Sequence, residues 1–373
     1  MMKVLSLVPY NVFPARNGGQ KNIVLFNKWL SRQTSLICVT VKNNDPGYAE
    51  YPVLNVLSNS RVRYINVFYF FTFRRIIREQ QVTHLVLEHP YYGWLGMLLK
   101  KFTGVQLVIH SVNIEAARWK SLGKWWWKLL YYYERAAHRF SDYNLFIQEA
   151  DRQYAIAKFD LQPERCSVAT YGIEWNTVPS KEECMQLQRR IKQQYGIAEE
   201  EHILFFTGSF NYPPNLDALK TIIEVIEPLL LQKKGFRYKI LICGIEIPPE
   251  ISRRPYPNII IAGFVDDIVP YFKAADVFLN PIIDGGGIKI KLVDALSYNR
   301  NVVSTVNGAI GVEPSWCNGK LLLTENGHWQ AFADAIPVAA AIETAIPPAF
   351  FAHFYWENIA KKTVAFISVS PKP

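Results

Sequence analysis

Asp284-Gly285-Gly286-Gly287-Ile288-Lys289-Ile290-Lys291-Leu292-Val293-Asp294-Ala295-Leu296 follows the short apolar run Val277–Leu279, and its reading decides the fold. The apolar run is read as a buried strand. Ile288, Leu292, Ala295 and Leu296 fall at i, i+4, i+7 and i+8, one face of a helix. Three glycines therefore occupy a strand-to-helix turn. Glycine lets backbone come close to a ligand, and free N–H groups at a helix start attract anions. Lys289 and Lys291 bring positive charge to the predicted first turn, where the helix dipole alone disfavours it. A bound phosphate resolves that conflict. Asp294, one turn on, shares a side with Lys291 and is a candidate acceptor for ribose hydroxyls. The spacing is not that of a P-loop. The competing reading is a glycine-rich loop with solvated lysines.

Working outward, apolar runs alternate with amphipathic stretches along the whole chain. Lys3–Val8, Leu36–Val41, Leu85–Glu88, Leu107–His110 and Tyr143–Ile147 are strand candidates in the first half. Ile203–Phe206, Tyr238–Cys243, Ile259–Ala262, Val277–Leu279 and Asn301–Thr305 are those of the second. Helical segments such as Ile23–Arg32 and Phe73–Glu79 lie between them. This alternation predicts an α/β protein with parallel sheets covered on both faces. The polar interval Ser180–Tyr195 reads as an exposed helix or linker. The expected division is 1–180, 181–345 and a tail 346–373, whose Phe350, Phe351, Phe354, Tyr355, Trp356 and Ile359 predict a helix packed on a folded surface.

Three further stretches carry candidate chemistry. Asn17-Gly18-Gly19-Gln20 follows the first strand and precedes a helix, a second glycine turn that could grip the same anion or be a plain turn. Gly208-Ser209 ends a strand, and Pro213-Pro214 then leads to Asn215, a candidate cap for a helix near Leu216. His110-Ser111-Val112-Asn113-Ile114-Glu115, with Arg118, follows a strand end, where open α/β sheets place ligands.

The 373 residues suffice for two domains with cores of their own, and half of them are hydrophobic. A formal net charge of +9 favours an anionic partner. The basic residues form no stripe with a recognised nucleic-acid module, so nucleic acid is not an expected partner. Five scattered cysteines without C-x-x-C spacing argue against a disulfide framework or zinc site and for a reduced, cytosolic setting. The first residues are too short a run for a signal peptide, and no apolar run reaches bilayer-spanning length. Lys120–Tyr133 interleaves lysines with Trp125, Trp126 and Trp127, and Tyr91–Leu99 precedes Lys100-Lys101. Both stretches suit either an anionic membrane surface or a helix whose aromatics face the core.

Taken in order, these pieces resemble the retaining family 4 glycosyltransferases (glycosyl transferases group 1) of the GT-B fold, in a triple-glycine branch. The resemblance covers nearly the whole chain. It runs from Gly18-Gly19 through His110–Glu115, Tyr133-Glu134-Arg135-Ala136-Ala137 with Ser141-Asp142, and Tyr171-Gly172-Ile173-Glu174. It continues through Gly208–Asn215, Ala262-Gly263-Phe264-Val265-Asp266-Asp267 and Ala274-Ala275-Asp276-Val277. The triple glycine, Gly308-Ala309-Ile310-Gly311 and Phe354-Tyr355-Trp356-Glu357 complete it.

The resemblance implies two Rossmann-like domains facing across a cleft, the second binding a nucleotide-sugar donor and the first a glycan or lipid-linked acceptor. It implies a tail helix crossing back to the first domain, transfer with retention, and no metal or cofactor. The expected place is the cytoplasm, peripheral to the inner face of the cell membrane, in surface-polysaccharide assembly. The implied catalytic residues are His110, Lys289 and Lys291. The implied donor contacts are Gly18, Gly19, Gly208, Ser209, Asp284, Gly285, Gly286, Gly287, Ile288 and Asp294. Asn113, Glu115 and Arg118 stand on the acceptor side.

The sequence departs from the family pattern in two places. Of the family's two acidic residues separated by seven positions, Gly286 holds the first place and Asp294 the second. The usual Arg and Lys are missing from Gly208–Asn215, and Lys289 and Lys291 are the candidates to replace them. A non-catalytic nucleotide-sugar-binding subunit and a GT-B epimerase or phosphorylase are the alternative readings.

Overall fold

Short β-branched and aromatic runs, apolar on both faces, form strands that can only be buried on both sides. The computed structural model describes residues 2–15 and 18–369. The chain divides into two compact units, Met1–Glu174 with Phe354–Pro373, and Trp175–His353.

The first unit holds β1 (Lys3–Leu7), β2 (Ser35–Val41), β3 (Val53–Leu57), β4 (His84–Glu88), β5 (Gln106–Ser111), β6 (Tyr143–Phe146) and β7 (Cys166–Val168). They form a parallel sheet in the order β3-β2-β1-β4-β5-β6-β7. The second holds β8 (His202–Ser209), β9 (Tyr238–Ile245), β10 (Ile259–Gly263), β11 (Val277–Asn280), β12 (Asn301–Thr305) and β13 (Leu321–Thr324). Its order is β10-β9-β8-β11-β12-β13, again parallel. In each sheet the chain reverses its direction of winding once, between β1 and β4 and between β8 and β11. A crevice opens at such a point beyond the carboxyl ends of the strands.

Every predicted strand is present. The unpredicted ones, β3, β7 and β13, are all sheet edges, where half-exposed positions break up the apolar run. In the first unit, α1 (Gly18–Ser31), α2 (Tyr69–Gln80), α3 (Gly93–Thr103), α4 (Glu115–Ser121) and α5 (Trp127–Phe140) flank the sheet. The tail helix Trp356–Ile367 packs on α1, and Ile173 is clamped by the Phe354 carbonyl at 2.7 Å and the Trp356 N–H at 3.0 Å. Trp356 is wholly buried against Gly172, where a Cβ would come within 2.6 Å of the indole.

The polar interval resolves into a helix, Lys181–Tyr195, capped by Ser180, with Cys184 and Ile191 buried. Of the apolar residues in 91–99, Tyr92, Leu95 and Leu99 face the core, which explains that stretch without a membrane. Among the described residues no helix is long and apolar enough to cross a membrane.

Candidate functional site

In the second unit, β8 and β11 deliver their ends to the crevice between them. A cavity of about 220 Å³ lies there, lined by Tyr212, Pro214 and Asn215 from the β8 side and by Asn280, Ile282, Gly286, Ile288, Lys289 and Lys291 from the β11 side. The glycine turn takes the form its composition suggests. Gly285 and Gly287 have φ of 85° and 77°, in the left-handed region, and a Cβ on Gly285 would meet the Tyr212 hydroxyl at 2.8 Å.

The helix start differs from the expectation. The helix runs Ile290–Ser297, so Ile288 lies before it and Lys289 sits at its cap with extended backbone. The cause is the left-handed Gly287, which delays helical geometry. Ile288 instead lines the cavity and packs against Gly311.

The two lysines have different tasks. Lys289 Nζ donates to the carbonyls of Gly285 at 2.6 Å and Gly287 at 2.9 Å, and so ties the loop to itself. Lys291 Nζ has the Asn215 Oδ1 at 3.4 Å. Neither forms an ion pair among the described residues. Burial pushes both ammonium groups down to about 8, against the raising influence of Asp284 on Lys289 and of Asp294 on Lys291. A half-buried, weakly partnered ammonium beside an uncapped helix start is a site for an anion.

Other expected donor contacts fall elsewhere. Gly208 and Ser209 are the last residues of β8, hydrogen-bonded into the ladder with Gly244 and Ile245, and neither lines the cavity. The strand is longer than its apolar run because Gly208 and Gly244 let two backbones approach; a Cβ on Gly244 would fall 2.0 Å from the Gly208 carbonyl. Asn215 is not a cap, since the helix begins at Pro213. Its amide donates to the Ser209 carbonyl at 2.9 Å and its oxygen faces Lys291, so it links β8 to the glycine turn. Asp284 is exposed, with Oδ1 3.3 Å from the Gly285 N–H.

In the first unit, Gly18 and Gly19 are the opening residues of α1 rather than a loop before it. Asn17 lies outside the described residues. The chemistry at the β1/β4 crevice centres on a residue that sequence patterning passed over. His89 follows β4 with φ 70° and ψ 159°, a region that is essentially glycine's alone. Pro90 enforces the extended ψ. Tyr10, just past β1, places its hydroxyl 2.9 Å from His89 Nε2. His89 Nδ1 lies 3.2 Å from Glu115 Oε1, and Glu115 Oε2 accepts from the Tyr91 hydroxyl at 2.6 Å and Arg118 at 3.3 Å. Burial raises the Glu115 carboxyl, but His89, Tyr91 and Arg118 prevail and hold it at about 2.

The helix α4 is capped from α5. Glu134 accepts the N–H groups of Glu115 at 2.9 Å and Ala116 at 2.8 Å. Burial, with the Glu115 charge, pushes its carboxyl up to about 8 against those two bonds.

His110 is wholly buried, its Nδ1 2.7 Å from Glu88 Oε2 and its ring 4.1 Å from that of Phe26 beneath α1. Its Nε2 has no hydrogen-bond partner among the described residues. The structure therefore joins Glu115 and Arg118 to Tyr10, His89 and Tyr91, with Asn113 on the connecting segment, and sets His110 in the layer behind. The only sequence signal for His89 was its place between a strand end and a proline. Among the described residues no group of three or more His, Cys, Asp or Glu is arranged to hold a metal ion.

Residues 23–174 match the sequence family described as Glycosyltransferase Family 4, and residues 201–339 match Glycosyl transferases group 1. Solved structures share the fold across the chain. A glycosyltransferase from Rickettsia africae superposes with a TM-score of 0.70 at 15% identity, covering 98% of this chain and 97% of that one. HepE of Anabaena in complex with UDP-glucose gives 0.71 at 17%, covering 99% and 100%. WaaG, a glycosyltransferase involved in lipopolysaccharide biosynthesis, gives 0.61 at 15%, covering 98% and 95%.

Proposed function

The chain is a GT-B glycosyltransferase of group 1, and from that premise we propose that it transfers a sugar from a nucleotide-sugar donor to a glycan or lipid-linked acceptor with retention of configuration. The observation that carries this reading is the second-unit cavity, where Lys291 and an uncapped helix start meet a left-handed glycine turn. A diphosphate suits that set: backbone amides and one ammonium face it, and a second ammonium holds the loop that presents them. Charge develops on the diphosphate as the sugar–phosphate bond breaks, so donors already in place favour the transition state over the bound donor. Asp294 is assigned to the ribose hydroxyls and Asp284 to the donor sugar. The Tyr10–His89–Glu115 set is assigned to the acceptor, with Tyr10 directing its hydroxyl. The reading requires neither metal nor cofactor.

HepE of Anabaena has been solved with UDP-glucose, which supports trying uridine donors first. A thermal-shift screen of UDP-, GDP-, ADP- and dTDP-sugars tests the assignment, because a ligand that binds only the folded state raises its melting point. One base is expected to stand out. No shift with any of the four would reject the donor site.

A further inference from the structure

At the amino ends of its strands, opposite the donor crevice, the second unit holds a further cavity of about 440 Å³, against about 220 Å³ beside the glycine turn. The two cavities share no lining residue. Asp276 comes just before β11, Arg300 just before β12, which Asn301 opens, and Lys320 just before β13. The helix Lys181–Tyr195 supplies Cys184 and Met185, and the chain at the end of the helix Trp329–Ala340 supplies Ala340 and Ile342. A cavity of this volume has room for a small organic ligand.

The charge on its wall is unbalanced. Lys320 is 3% exposed, yet its ammonium forms no ion pair among the described residues. It donates to Asn301 Oδ1 at 2.7 Å, which leaves two N–H groups without an acceptor among those residues. Burial and the neighbouring Arg300 push it down to about 8. Arg300 commits Nε and Nη1 to the carbonyls of Tyr298 at 2.9 Å, Lys273 at 3.1 Å and Ala275 at 3.0 Å, while Nη2 meets the Cys184 sulfur at 3.6 Å. The carboxylate that Arg300 feels, Asp276, already accepts from the Ile203 N–H at 2.7 Å and Gln188 at 2.9 Å, with His202 at 3.7 Å. Lys181 and Glu343 line the cavity from exposed positions and offset each other in formal charge. A buried ammonium and a half-buried guanidinium thus face one engaged carboxylate, an arrangement that an anion would relieve.

We propose that this cavity binds a small phosphomonoester, its phosphoryl group on Lys320 and Arg300 Nη2 and its organic part against Met185, Ala340 and Ile342. The unused N–H donors match phosphate oxygens, and both partners of each bond carry charge. The apolar wall distinguishes an organic ester from free phosphate, because it adds surface that only the ester covers. A purely structural Lys320, tying β12 to β13 through Asn301, would leave both the cavity and the two N–H groups without a use. Asn299 lines the cavity two residues beyond the helix Ile290–Ser297, whose other end carries Lys291. The ligand therefore sits at the far end of the helix that presents the donor-site lysine. The site is built from residues apart from the donor crevice and does not depend on the donor assignment.

Scanning fluorimetry of the full chain tests this, with affinities read from the rise in melting point as ligand is added. The measurements are made in a Lys291→Met background, where the donor crevice has lost its facing ammonium. Glucose 6-phosphate is expected to raise the melting point, inorganic phosphate to bind more weakly, and glucose to have no effect. Adding Lys320→Met should weaken glucose 6-phosphate by more than about tenfold. General salt effects act on every variant alike, so the difference between variants isolates the site. If Lys320→Met does not fold, Met185→Glu decides instead; at an exposed position it keeps the fold and should weaken the ester at least about threefold by repulsion. The proposal fails if the deciding variant binds as its background does. It fails too if Lys291→Met alone abolishes the response, which would place the anion in the donor crevice, or if inorganic phosphate binds as tightly as the ester. Any of these results would leave the transfer reading standing, since that is judged by nucleotide-sugar binding.

Discussion

Replacing Lys291 with methionine separates a binding role from a structural one. The wild-type ammonium is held at about 8 instead of an ordinary 10.5, so keeping it charged at neutral pH costs roughly 3 kcal/mol. That cost already includes the attraction of Asp294, and against it stands one long hydrogen bond that the ammonium donates to Asn215 Oδ1. Methionine fills similar volume without charge, so a net gain of about 1–2 kcal/mol is expected. For a unit of this size that is a rise of roughly 2–8 °C in melting temperature. The ligand effect runs the other way. Losing a charge-assisted bond to phosphate costs about 1.5–3 kcal/mol, or roughly 10- to 100-fold in affinity. At a nucleotide concentration near 100 times the parent Kd, stabilisation of about 2.7 kcal/mol would fall to a few tenths for a 100-fold loss.

Scanning fluorimetry with UDP and with inorganic pyrophosphate reads both effects. The pH dependence gives a third check. Between about 8 and 10.5 the unfolded chain binds more protons at this lysine than the folded one, so parent stability climbs with pH across that window. Lys289 and Lys320 are also held at about 8, so Lys291→Met should reduce that slope without abolishing it. A variant that melts lower than the parent yet keeps its full ligand shift would show the lysine to be a structural post, and the anion argument would be wrong.

Gly285→Ala should cost about 1–3 kcal/mol, because φ of 85° and the Tyr212 hydroxyl both oppose a Cβ; a denaturant midpoint equal to the parent's would contradict this. His89→Gly should be more stable than His89→Ala by about 1–3 kcal/mol, since both lose the Tyr10 and Glu115 contacts but only glycine accepts the backbone. Equal urea midpoints would mean the strain is not there. Glu134, raised to about 8, binds a proton more readily folded than unfolded, so its contribution is full below its ordinary range and is lost as pH rises toward 8. Glu134→Gln should flatten stability between about pH 4.5 and 8, and an unchanged profile would refute the assignment.

The sheets were legible because central parallel strands need continuous apolar runs, and such runs are visible without context. Edge strands β3, β7 and β13 were not, because Leu54 and Leu323 face solvent and the pattern is diluted. The glycine turn was legible in kind and misplaced in detail. Helical phase placed Ile288 on the helix, whereas one left-handed residue, Gly287, postpones its start. Asn215 could not be assigned, since its role depends on β8 and the glycine turn meeting across 76 residues of sequence. His89 was missed for a sharper reason. No propensity places a histidine in a backbone region reserved for glycine, so only the fold, which fixes β4 on one side and Pro90 on the other, shows it.

Both candidate sites fall where each sheet reverses its winding, and each breaks a local rule there. Such violations persist only where surrounding structure over-determines them, and they gather at functional sites. The two violations differ in kind. In the first unit the cost is conformational: His89 stays in its forced geometry whatever is bound, and only a backbone without a Cβ relieves it. In the second the cost is electrostatic, a half-buried ammonium that feels Asp294 but forms no ion pair among the described residues, and a bound anion would offset it. On the proposed reading, anion binding therefore returns free energy at the β8/β11 crevice. On the proposed transfer, that difference would give ligand-gained stability to the glycine turn and preset geometry to the Tyr10–His89–Glu115 set, the division of labour a charged donor and an uncharged acceptor hydroxyl require.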